Sequence, residues 1–163
     1  MTKKPEEPNE YNRYIAIAGF TNVKIKNVNS FLEHARREIR EACVQFFDAK
    51  LIAGQQHLYF AALNALEVFK RKANISSSLD IETLLYASAQ RQIRKAVDML
   101  GIKVDSSQVA VLIIAENMQE MDNCLNVVSR LMPGERDDAV LELTDEKIEG
   151  IKRLFGISDL EIE

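Results

Sequence analysis

Tryptophan is absent from this chain, and histidine and cysteine occur only twice each. His34 and His57 lie outside ligand spacing of each other and of any cysteine, which excludes a recognisable zinc site; no metal and no other cofactor is expected. Cys43 and Cys124 sit inside apolar stretches without paired spacing, a pattern of buried, reduced thiols rather than a disulfide. The six glycines are isolated and mostly at element ends, so no loop is built to cradle phosphates. Ser88 lacks the flanking glycines of a nucleophile elbow and reads as a helix N-cap. No catalytic constellation emerges, and an enzyme is not expected.

Long apolar runs are missing too. Nothing approaches the roughly eighteen residues of a membrane span, and no charged-then-apolar leader is visible. The expectation is a soluble, unsecreted, cytoplasmic protein with no membrane partner. Asn74-Ile75-Ser76 fits a glycosylation pattern, which without a secretory signal is coincidence.

What is present is ample core material: 163 residues with 47% hydrophobic content, about one domain by length. The net charge of −4 conceals an asymmetry. Residues 1–103 hold sixteen Lys and Arg against eleven Asp and Glu; residues 104–163 hold five against fourteen. The first part is therefore +5 and the second −9, so a local cationic surface is compatible with an acidic chain.

Residues 1–10 are polar, contain two prolines and read as a loose tail, leaving residues 11–163 as a single domain. YIAIAGF (14–20) reads as a strand closed by Gly19. Residues 28–41 read as a helix with Asn29 or Ser30 as cap, followed by a strand at 43–47 and a long helix at 55–72. Residues 80–87 read as a strand despite Glu82. Helix 89–100 is expected to start at Ser88, to bury Ile93, Ala96, Val97 and Leu100, and to end on a left-handed Gly101. VAVLIIA (109–115) reads as a strand covered on both faces, and 117–132 as a helix ended by Pro133-Gly134. The acidic segment 135–146 reads as loop with AVLEL extended. A last helix starts at Thr144 and stops at Gly156. The fold class is mixed α/β (α+β): one central sheet of about four strands flanked by helices, with strand sense left open.

Two cationic clusters stand out. Lys70, Arg71 and Lys72 close one helix, where positive charge suits the macrodipole without any ligand. Arg91, Arg94 and Lys95 lie near a helix N-terminus, where the dipole disfavours cations but favours a bound anion such as phosphate. Among apolar residues, Ile75 in the loop KRKANISSS and Phe60 in line with a polar helix stripe are least explained by periodicity. They are candidates for a partner surface. Asp137, Asp138 and Glu142 lack the spacing of a calcium loop. His57 reads either as a ligand contact or as a half-buried residue bonded to a neighbouring loop.

Three segments, VKIKNVNSFLEHAR, FFDAKLIAGQQHLYFAALNAL and LLYASAQRQIRKAVDMLGI, together resemble the Cgi-type subunit of the KEOPS complex. This family includes the TPRKB-like kinase-binding protein. The likeness spans residues 15–116, and its most specific parts are Ala53-Gly54 with His57-Leu58. To these add Leu84, Tyr86 and Ser88 with Gln92-Ile93, Ala96 and Gly101-Ile102. The resemblance implies a non-catalytic subunit that binds the small kinase/ATPase subunit and helps recruit tRNA, including its single-stranded CCA end. The complex makes threonylcarbamoyl-adenosine, with catalysis in another subunit. It implies an RNA-facing group of His57, Arg91, Gln92, Arg94 and Lys95, joined by Lys70, Arg71 and Lys72, and a kinase contact at Ile75 with Phe60 second. The alternatives are a protein-interaction scaffold without RNA binding and a small enzyme using Asp137 or His57.

Overall fold

The computed structural model describes residues 8–155. Residues 1–7 of the expected tail and the Gly156 helix stop lie outside the described residues. The core is a four-stranded antiparallel sheet in the order β2-β3-β1-β4, formed by Tyr14–Thr21 (β1), Cys43–Asp48 (β2), Val109–Ala115 (β3) and Glu135–Arg136 (β4). β1 and β3 pair from Tyr14 opposite Ala115 to Phe20 opposite Val109. Every residue of β3 is buried, because it is central and covered on both faces. The expectation from VAVLIIA holds.

Alternation along the strands divides the core. Ile15, Ile17, Phe47, Leu112 and Ile114 face one layer, built on Gln55–Lys70 (α2), Leu79–Ser88 (α3) and Ile93–Leu100 (α4). Ala16, Ala18, Phe20, Phe46, Val111 and Ile113 face the other, built on Val28–Glu38 (α1) and Met118–Leu131 (α5). Asp145–Phe155 (α6) packs near the turn at Ala49–Leu51. Lys147 of α6 is 7% exposed, and its ammonium donates to the carbonyls of Ile52 (3.0 Å) and Val140. Burial holds its pKa below the ordinary lysine value, opposed by Glu142.

Several expectations are corrected. Residues 80–87 are helical, not a strand: α3 carries Asp80 and Glu82 in its first turn. It is wedged between α2, α4 and β2, so both Leu84 and Leu85 are buried. A short helix buried on most sides loses the polar stripe that marks its period, and then reads like a covered strand. The fourth strand is instead β4, from the acidic segment. AVLEL is not extended; Asp138–Leu141 forms a 3-10 turn that buries Val140 and Leu141. The α1 cap is Asn27, whose side chain accepts the Ser30 N–H, rather than Asn29 or Ser30.

Ser88 does not start a helix. It is the buried last residue of α3, and its hydroxyl donates to the Leu85 carbonyl. α4 begins at Ile93 with Gln92 as cap. Ala96 and Leu100 are buried as expected, but Ile93 and Val97 stay 45% and 43% exposed. Gly101 is extended (φ −68°, ψ 154°) rather than left-handed. It forms a bridge with Phe47, and a Cβ there would lie 2.6 Å from the Val97 carbonyl oxygen. Close approach, not a positive φ, requires this glycine.

Candidate partner-binding surface

The loop joining α2 to α3 carries three of the residues singled out from the sequence, Arg71, Lys72 and Ile75, with Lys70 just before it. α2 ends at Lys70, and the chain turns through Lys72 in the left-handed region (φ 58°). The Arg71 guanidinium pairs with Glu67 at 3.3 Å, one helical turn back. The second Glu67 oxygen accepts the Tyr11 hydroxyl at 2.7 Å. That hydrogen bond is the main reason the Tyr11 pKa is pushed up to about 12. The Lys70 ammonium lies 5.8 Å from the Tyr11 ring centroid. Arg71 and Lys70 are thus engaged locally.

The loop has no regular structure, yet its amides must find acceptors. They find one buried carboxylate. Glu82 in α3, 1% exposed, accepts the Ile75 N–H at 2.6 Å and the Ser76 N–H at 3.1 Å. The Ser76 hydroxyl adds a third bond at 2.9 Å. Asn74 donates to the Ser76 carbonyl at 2.6 Å, closing the turn from the other side. The Ile75 side chain, its backbone held from beneath, remains 52% exposed.

Beside Ile75 lies a shallow cavity of about 170 Å³, lined by Ile75, Leu85, Tyr86, Ala89, Gln90 and Arg91. Its shape follows from how α3 ends. Ala89 adopts φ 56°, ψ 33°, its N–H donates to the Tyr86 carbonyl, and the Gln90 N–H reaches back to Leu85. This Schellman-type turn redirects the chain into α4. Arg91, Gln92, Arg94 and Lys95 follow, all exposed, at the positive end of α4. The geometry therefore puts the Ile75 candidate and the Arg91 candidate on the wall of one depression. Phe60 is exposed (56%) and edge-on to Tyr59, but about 15 Å along α2 from Lys70. It is not among the residues lining the depression.

His57 sits in the first turn of α2. Its Nδ1 accepts the Ala53 N–H at 3.0 Å, so the proton is on Nε2, which donates to the Ala87 carbonyl at 2.8 Å. Gly54, at φ +109°, makes the turn that brings Ala53 back to the ring. Burial lowers the His57 pKa, the hydrogen bond to Ala87 opposes this, and Lys147 lowers it further. Both ring nitrogens are committed, which braces α2 against the end of α3. An external partner would have to displace one of these bonds.

The acidic residues are also in structural use. Asp137 accepts the Ala139 N–H, and Asp138 takes the Arg136 guanidinium and the Gly19 N–H. Among the described residues no group of three His, Cys, Asp or Glu is placed to hold a metal ion. No described helix is long and apolar enough to cross a membrane.

Reading 80–87 as a strand hides the place of Glu82, Leu85 and Tyr86 at this surface. The available signal was the acid itself: a charge in an apolar run, four residues after Ser78, fits the start of a helix better than a covered strand.

The comparisons bear on this surface. Residues 20–163 match the family model described as "Kinase binding protein CGI-121". This chain belongs to that family. A relative from Methanocaldococcus jannaschii, named "Regulatory protein Cgi121", is 32% identical over 113 residues, covering 69% of this chain and 70% of the relative. The match to the CGI-121 model includes α2, α3, α4 and the loop that carries Ile75.

Proposed function

We propose that this CGI-121 family member is a non-catalytic regulatory subunit of the KEOPS complex, acting in the cytoplasm. It binds the small kinase/ATPase subunit through Ile75 and the neighbouring depression. It helps recruit tRNA, including the single-stranded CCA end, for threonylcarbamoyl-adenosine formation. The observation that carries the reading is the exposed Ile75, held by a buried carboxylate beside an apolar depression, in a chain whose family is described as kinase-binding. An apolar residue with a fixed backbone has the character of an interface anchor.

The tRNA part rests on Arg91, Gln92, Arg94 and Lys95, exposed around an α-helical N-terminus, with Lys70, Arg71 and Lys72 as further backbone contacts. His57 belongs to this reading as the brace beneath the surface. Phe60 serves as a second apolar contact for the kinase. The test is co-purification with the small kinase subunit, then gel shifts with CCA-ended and CCA-trimmed tRNA. Kinase binding with no shift of either RNA leaves the protein-interaction scaffold, which the apolar depression also supports. Failure to co-purify overturns the kinase assignment.

A further inference from the structure

We infer that Glu82 is a positioning residue for partner binding: it touches no partner itself but fixes Ile75 in the conformation that docks. The inference rests on the kinase-binding reading of Ile75 and assigns the regulation of that contact to a buried group.

Three observations point the same way. Glu82 is a buried acid, 1% exposed, and it accepts three hydrogen bonds from the loop. None of these bonds serves its own helix. All three come from Ile75 and Ser76, so the carboxylate works as a clamp on two consecutive loop residues. The residue so clamped is an isoleucine more than half exposed, where a water-facing loop has no packing reason to hold an apolar side chain. The Ser76 hydroxyl shares its single proton between Glu82 and the Ser78 carbonyl, each at 2.9 Å, and Ser78 donates to Asp80 at the start of the same helix. A loop ordered before it meets its partner loses less entropy on binding.

Glutamine at this position keeps the shape but replaces one acceptor oxygen with an NH2 group, which meets a loop donor head-on. Affinity for the small kinase subunit, measured by calorimetric titration of the full chain, is expected to fall about tenfold in Glu82→Gln. In an Ile75→Ala background the same substitution is expected to add nothing, since Glu82 acts only through Ile75. Glu82→Asp, which retains both acceptors on a shorter arm, should recover part of the loss. Equal losses in both backgrounds overturn the inference, as does unchanged affinity in Glu82→Gln.

If Ile75→Glu itself leaves binding intact, the kinase-binding reading of Ile75 fails, and the inference with it. If only Ile75→Glu weakens binding, the positioning role alone is lost. Should Glu82→Gln fail to fold, amide exchange in the wild-type chain decides. Ile75 and Ser76 amides are expected to be protected despite their loop setting, and exchange at the free-peptide rate rules the clamp out.

Discussion

The backbone N–H of Ile75 lies 2.6 Å from a carboxylate oxygen of Glu82, so an exposed loop residue is fixed by a group buried inside the adjacent helix. That relationship joins local structure to surface. α3 has to be a helix, and has to pack against α2, before the carboxylate can reach the loop. The position of the docking residue therefore depends on helix packing as well as on the loop.

Ile75→Glu is expected to leave the fold intact, because the side chain is 52% exposed and makes its loop bonds through the backbone. Kinase binding should weaken by about 2 kcal/mol or more, the scale of an anchor residue lost from an interface. Circular dichroism and calorimetric titration check the two halves, and retained affinity excludes this surface.

Arg91→Glu combined with Lys95→Glu is expected to weaken tRNA binding without lowering stability, since both side chains are exposed and acids suit the positive end of α4. The salt dependence is the sharper readout. Each lost phosphate contact on a single strand should flatten the slope of log affinity against log salt by about 0.7. Identical slopes for variant and wild type place the RNA elsewhere.

Stability should fall on acidification through His57. Its folded-state pKa lies below the ordinary 6.5, so the unfolded chain takes up the proton first as pH drops. The contribution is fully present above pH 6.5 and is lost progressively below it, down to the folded-state pKa. Protonating Nδ1 also destroys the acceptor for the Ala53 N–H. His57→Gln should therefore show a smaller fall in Tm between pH 7.5 and 5.5 than the wild type, while being less stable at pH 7.5. Parallel Tm curves reject the assignment.

Ala89 holds a left-handed conformation that disfavours any Cβ by about 1–2 kcal/mol. Glycine removes that penalty at an entropic cost of about 0.5–1 kcal/mol. Ala89→Gly should therefore raise stability by about 0.5 kcal/mol in urea unfolding. A clear loss of stability means the methyl group makes packing contacts that outweigh the backbone gain.

Much of the framework was legible in the sequence. Strong periodic or continuous apolar signals placed β1, β2, β3, α1, α2 and α5 close to their observed bounds, and α6 as well. Ile75 and Phe60 were identified as apolar residues out of step with their surroundings, and both are exposed. The failures lie at the α1 cap, in residues 135–143 and above all in residues 79–101. There an apolar run hides a helix, Ser88 closes α3 instead of opening α4, and Gly101 is needed for contact with Val97 rather than for its φ.

Local pattern was enough for β1, β2, β3, α1, α2 and α5, for the covering of the sheet on both faces, for the cations at Arg91, Arg94 and Lys95, and for the family, but not for α3 or β4. The antiparallel order β2-β3-β1-β4, the commitment of both His57 nitrogens and the pairing of Glu82 with the Ile75 loop arise from packing in three dimensions. The physical reason is range. Periodicity and capping act within a few residues of one another, whereas Ala87 reaches His57 across thirty residues of chain. Glu82 lies only seven residues from Ile75, but its burial comes from helices packing around it, which local pattern does not encode.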